Sequence, residues 1–219
     1  MEYFTTTSKA SKRAVDCIIV GIYARNKLGA GAADVDSASK GHLTALMKSG
    51  DLSSAPGRCT ILTAVPGVRA RRVAVVGLGK PSKLNGTVYK KAVAAAIHAL
   101  DGSKTKQILN TLTLESVSGC DPYYLARHSV EAMGDTLYRF TEMKSGRKKK
   151  PMQLSGYGHA IAKRGDAAKA ARGAEHGDAI AHGVRLAKDL GNLPANVCTP
   201  SYLARAAKKL ATGNGKLTT

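Results

Sequence analysis

The sequence predicts an α/β fold, a mixed sheet flanked by helices, with a long helix following it. Three observations carry this reading. Short apolar runs alternate with helical patterns through the first two-thirds of the chain, which is how stacked layers of sheet and helix are written. One alanine-rich helical pattern then runs from about Asp166 to Leu190. Between them lies Lys144-Ser145-Gly146-Arg147-Lys148-Lys149-Lys150-Pro151, polar, basic and broken by Gly and Pro, the composition of a solvated loop.

The elements follow in order. Ala14 to Val20 reads as a buried strand ending at Gly21. A helical pattern starts near Asp34, with Leu43, Leu46 and Met47 on one face and Gly50 as its C-terminal cap. Thr60–Val65 and Arg72–Val76 are two strands separated by a Pro66-Gly67 turn. A helix from about Thr87 to Leu100 turns Val88, Ala92, Ala95, Ala96 and Ala99 inward. Gln107–Leu114 is a further strand. Asp121-Pro122 opens a helix, the acid capping and the proline filling the first position. Its buried face is Leu125, Val130, Met133 and Leu137. A short strand over Met152–Tyr157 precedes the long helix. Gly173, Gly177 and Gly183 inside that helix each cost about 1 kcal/mol against alanine, so they point to close backbone packing or a break. Thr199-Pro200 starts a last helix with Leu203, Ala206, Ala207 and Leu210 facing inward, and Lys216–Thr219 resembles the start of a strand.

At 219 residues and 43% hydrophobic content, the chain can bury a sizeable core. No apolar run is long enough for a membrane span, and the first residues lack a secretory pattern. Cys17, Cys59, Cys120 and Cys198 are far apart; they are expected as reduced, packed thiols of a cytosolic protein. Charge is the unusual property. The formal net charge is +19, and residues 144–219 hold 15 Lys and Arg against four acids. Such an excess attracts polyanions, nucleic acid above all. Lys144, Arg147, Lys148, Lys149 and Lys150 form the densest cluster and are the candidate contacts to duplex phosphates. With no Trp and two Phe, stacking on single strands is not expected.

Catalytic constellations are scarce. Gly77-Leu78-Gly79-Lys80-Pro81-Ser82 follows a strand, but it lacks the third glycine of a dinucleotide loop and the Walker spacing. Pro81 also removes a cradling N–H. Asp178, His182 and Asp189 share one helix face, where carboxylates beside an imidazole could orient a base or bind a metal. Nothing else in the sequence supplies ligands, so a solvated helix face is the preferred reading. His42, His98, His128, His159 and His176 stand alone in the sequence.

The stretch from Leu186 to Ala204, with Asn192, Pro194 and Asn196 leading into Thr199-Pro200, is the most specific segment. It resembles the linker into the catalytic domain of the leucyl aminopeptidases, the M17 family. Val75–Lys80 is similar to a strand end of that family's N-terminal domain. Leu46–Gly57 and the Tyr138 region are similar to its bacterial aminopeptidase A branch. The resemblance implies a macro-domain-like fold over 1–143, a basic loop and short strand over 144–165, and a linker helix and Asn-x-Pro-x-Asn segment over 166–198. Residues 199–219 would then begin the catalytic domain. It further implies a parent exopeptidase, hexameric in the family, with two divalent ions (Mn or Zn) held by residues this sequence does not contain. The chain alone would serve oligomer assembly and lack activity. A second implied role is duplex-DNA binding of the aminopeptidase A type, in recombination or transcriptional control. ADP-ribose binding follows only by analogy with macro domains.

Overall fold

The computed structural model describes residues 1–143 and 152–213. Its strands are β1 (Glu2–Thr6), β2 (Cys17–Tyr23), β3 (Lys27–Leu28), β4 (Cys59–Thr63), β5 (Arg72–Gly79), β6 (Gln107–Asn110) and β7 (Gly156–Ala160). Its helices are α1 (Ala30–Ala38), α2 (His42–Ser49), α3 (Gly86–Leu100), α4 (Pro122–Leu137), α5 (Ala167–Asn192) and α6 (Pro200–Gly213). The sheet runs β1-β7-β6-β2-β5-β4, with β3 hydrogen-bonded to the end of β2. Pairings from β1 across to β5 are parallel, while β4 and β3 are antiparallel to their neighbours. The fold is therefore a mixed sheet with helices on both faces.

β2 sits at the centre, and all seven of its residues are buried. Cys17 and Ile19 face a core shared with α3 and α4. Ile18, Val20 and Ile22 face the core shared with α1 and α2. A strand covered on both faces reads as a continuous apolar run, which is why the sequence betrays it. Two caps also act as written. Asp121 accepts from the Tyr124 N–H at 3.0 Å at the start of α4, and Gly50 closes α2 at φ 87°, a left-handed angle that suits glycine.

Several expectations are corrected. The pattern from Asp34 to Gly50 is two helices, because Lys40 and Gly41 adopt positive φ. Ser39 Oγ donates to the Val35 carbonyl at 2.8 Å at the end of α1. Asp36 then receives both the N–H and the hydroxyl of Thr44, at 2.9 and 2.6 Å. The first central strand starts at Cys17 rather than Ala14, since Asp16 is engaged outside it by the N–H groups of Lys106 and Gln107. It runs through Gly21, where a side chain would collide with Leu78. The strand from Gln107 stops at Asn110, and Leu112–Leu114 is a 3-10 turn. There Asn110 Oδ1 accepts from the Leu112 N–H at 3.0 Å. β7 begins four residues later than expected, at a glycine-rich segment where Gly158 lies under the Phe4 ring. α3 buries Tyr89, Ala92, Val93, Ala96, Ile97 and Leu100, and Ala99 faces out. Leu203 and Leu210 of α6 are 45% and 49% exposed rather than inward.

Candidate functional site at the helix elbow

α5 lies along α4, and its glycines set the distance. A Cβ at Gly173 would strike the Tyr123 carbonyl, and one at Gly177 would come within 2.7 Å of the Arg127 carbonyl oxygen. Gly134 of α4 answers from the other side, where a Cβ would sit 2.7 Å from that of Ala181. Close packing is the outcome at Gly173 and Gly177. At Gly183 a Cβ would meet nothing within 4 Å among the described residues.

Polar contacts then fasten α5 along its length. Tyr3 Oη donates to Asp178 Oδ1 at 2.6 Å, and Tyr123 Oη lies 2.8 Å from His176 Nδ1. Tyr138 Oη donates to Asp189 Oδ1 at 2.9 Å and accepts from Asn192 Nδ2 at 3.1 Å. Lys188 pairs with Asp135 and places its ammonium 5.1 Å from the Tyr138 ring centre. Tyr138 is thus a hub at the end of α4 that holds the end of α5. Beyond it the chain bends. The Pro194 carbonyl accepts from the N–H groups of Val197 and Cys198, both at 2.9 Å. Thr199 Oγ1 accepts from the Tyr202 N–H at 3.3 Å, and Pro200 opens α6. Asn192, Pro194, Thr199 and Pro200 therefore have structural work in the bend, while Asn196 is exposed. Between α5 and α6 the bend leaves a groove of about 600 Å³, lined in part by Leu186, Leu190, Leu193, Tyr202 and Leu210.

Removing either half of the hub contact should loosen the bend. Asn192→Ala deletes one hydrogen bond with a net value of about 1 kcal/mol, whereas Tyr138→Phe deletes two, those with Asp189 and Asn192. Amide exchange over residues 186–193 should quicken roughly five-fold in Asn192→Ala, and further in Tyr138→Phe, if opening there is local. Unchanged exchange would show that packing alone holds the bend.

The other candidate residues fare differently. Asp178 and Asp189 are about 16 Å apart along the helix axis and are engaged by different tyrosines. His182 is exposed, with Nδ1–H donating to the Asp178 carbonyl at 2.8 Å. His182 Nδ1 also lies 3.5 Å from Asp178 Oδ2, but Asp189 does not join that pair. Among the described residues no three His, Cys, Asp or Glu side chains are grouped to hold a metal. The two-ion centre implied by the resemblance does not fit these residues. Gly77 is explained by the loop beneath it, where a Cβ would come within 2.7 Å of the Ser53 carbonyl oxygen. The start of α1, where a phosphate could sit, is taken by the chain's own carboxylate. Glu115 accepts from the Ala30 N–H and the Tyr23 hydroxyl, both at 2.8 Å. Burial pushes its pKa up despite those two bonds. Lys144, Arg147, Lys148, Lys149 and Lys150 lie outside the described residues.

One pair escaped the sequence reading. His159 is 1% exposed, and its Nε2 is 2.8 Å from Ser129 Oγ. Ser129 donates its own proton to the Ala126 carbonyl at 2.8 Å, so the imidazole is the donor in this pair. The serine is fully buried, which removes it from any substrate. Burial lowers the His159 pKa to about 4, keeping the ring neutral. No spacing in the sequence announces the pair, because the two residues meet only when β7 is inserted beside β6.

Comparison with known proteins agrees with the linker resemblance. The chain is 37% identical over 215 residues to a probable cytosol aminopeptidase of Methylobacillus flagellatus, covering 98% of this chain and 43% of that protein. It is 35% identical over 219 residues to one of Vibrio parahaemolyticus, covering 100% and 44%. The chain thus spans less than half the length of these curated relatives. Its fold matches a mutant tomato leucine aminopeptidase with a TM-score of 0.77 at 23% identity, over 97% of this chain and 42% of that one. The bottromycin maturation enzyme BotP, also solved in complex with Mn, matches with a TM-score of 0.68 at 25% identity, over 92% and 38%. Residues 19–147 match the N-terminal domain of the cytosol aminopeptidase family. The chain belongs to that family.

Proposed function

We propose that this chain is the non-catalytic N-terminal part of a cytosolic, metal-dependent leucyl aminopeptidase, positioning a catalytic domain and taking part in oligomer assembly. The observation that carries this is the family match over residues 19–147, together with relatives more than twice as long. The elbow supports it. α6 emerges from a bend bolted to the N-terminal domain through Tyr138, and it presents Leu203 and Leu210 to whatever follows. Two-metal hydrolysis requires a cluster of ligands to hold both ions and generate hydroxide. The described residues bring together no such cluster, and no catalytic step is assigned to them. As in the family, the assembly would be a hexamer, with Mn or Zn bound outside this part.

The test is a fusion. The chain alone, with manganese or zinc, should release no leucyl chromophore above background. Joined after Thr199 to the remaining C-terminal portion of the Methylobacillus flagellatus relative, it should support manganese-dependent release. Activity in the isolated chain that survives repurification, or an inert but folded fusion, would overturn the reading. Duplex DNA is the second reading, supported by the 15 basic and four acidic residues of 144–219. Charge of this kind brings affinity without sequence selectivity.

A further inference from the structure

The His159 ring has a nitrogen to spare. Its Nε2–H is given to Ser129 and the ring is neutral, so Nδ1 carries a lone pair and can only accept. Among the described residues Nδ1 has no hydrogen-bond partner, although the side chain is 1% exposed. A buried acceptor left unmade is costly. The ring lines a recess of about 60 Å³ between the first turns of α4 and α5.

The other polar side chains of the recess accept as well. Thr113 directs its one hydroxyl proton to the carbonyls of Ala160 and Asn110, at 2.6 and 3.1 Å, and so offers lone pairs. Asp166 makes no side-chain bond to the start of α5 and no ion pair among the described residues. No lysine or arginine lines the recess. It adjoins a wider cleft of about 280 Å³, with which it shares Leu114, Ile161 and Ala162. Both lie at the carboxyl ends of β1 and β7, where open α/β sheets receive ligands.

We infer that this recess binds a small aliphatic primary amine, its ammonium on His159 Nδ1, Thr113 Oγ1 and Asp166 and its body along Leu114 and Ile161. An ammonium brings three donors and no acceptor, the complement of three acceptors and no side-chain donor. Amino acids and the free N-termini of peptides belong to this class. An anion would suit the two helix starts, but it would meet the Asp166 carboxylate and the Nδ1 lone pair. A metal ion lacks ligands, since no third His, Cys, Asp or Glu among the described residues joins His159 and Asp166. Diffuse attraction is excluded as a source of binding, because the chain carries a net charge of +19.

Isoamylamine is the probe and isoamyl alcohol, with the same body and no charge, its comparison. Both are titrated into the ¹⁵N-labelled 219-residue chain while the His159 ring nitrogens are followed by NMR. The amine should shift the Nδ1 resonance saturably and bind roughly ten-fold more tightly than the alcohol, the worth of one charge-assisted contact. Asp166→Asn should weaken the amine roughly ten-fold. Asparagine is as good at a helix start as aspartate, so the fold is kept. Glu175→Gln removes the same charge from an exposed position of α5 and should leave binding unchanged. An Nδ1 resonance that stays put through the amine titration would overturn the proposal and assign the recess to water alone. Equal affinity for the alcohol, or equal losses in the two variants, would overturn it too.

Discussion

Acidification from pH 7 to 4 should remove about 3 kcal/mol of stability through His159 alone. The imidazole is held neutral by burial, with a pKa lowered from 6.5 to about 4. In the unfolded chain it takes up a proton near its ordinary value. Below pH 6.5 the unfolded state therefore binds more protons than the folded one, and stability declines until about pH 4, where both are protonated. Urea titrations at half-unit steps would trace this. His159→Gln retains an N–H donor toward Ser129 and removes the titration. Its stability should be nearly flat between pH 6.5 and 5, where the unaltered chain loses most steeply. A variant curve parallel to that of the unaltered chain would place the loss in other groups.

The second large effect separates two glycines of one helix. Gly173→Leu should destabilise the chain by about 2–3 kcal/mol, because its side chain must displace the Tyr123 backbone and part α5 from α4. For a domain of this size that is a fall in melting temperature of roughly 5–10 °C. Gly183→Ala should do the reverse, gaining about 1 kcal/mol of helix propensity and roughly 2–4 °C. Calorimetry on the pair decides the matter. If both substitutions stabilise, α5 is not seated on α4 as described.

The same glycines show what a sequence discloses. A penalised residue at Gly173 and Gly177 signals a backbone nearby, and the strands and caps with local chemistry were equally legible: Asp121-Pro122 before α4, Gly50 after α2, the unbroken apolar run of β2. Boundaries set by distant partners were not. Nothing near Asp36 reveals that its carboxylate will receive Thr44 and divide one helical pattern into two. β7 was misplaced because its register comes from β1 and β6, both far away in sequence. The Asn-x-Pro-x-Asn segment was visible as a motif, yet the partner that gives Asn192 its role is Tyr138, 54 residues earlier. Ser129 and His159 were invisible as a pair for the same reason. Local chemistry is written in order along the chain, whereas contacts across the sheet depend on topology.

The place of β7 has a consequence for biogenesis. Among the described residues, Glu2–Thr6 pair with Gly156–Ala160, which in turn lie against β6. β1 is thus made about 150 residues before the strand it pairs with. A nascent chain can assemble β2, β4 and β5 with α1, α2 and α3 from contiguous sequence, but β1 stays unpaired until residue 160 is free. Long-range pairing of this kind slows folding and exposes edges while it waits. The polar Thr5, Thr6 and Thr7 and the cations Lys9, Lys12 and Arg13 that follow suit a segment that must remain unaggregated through most of synthesis.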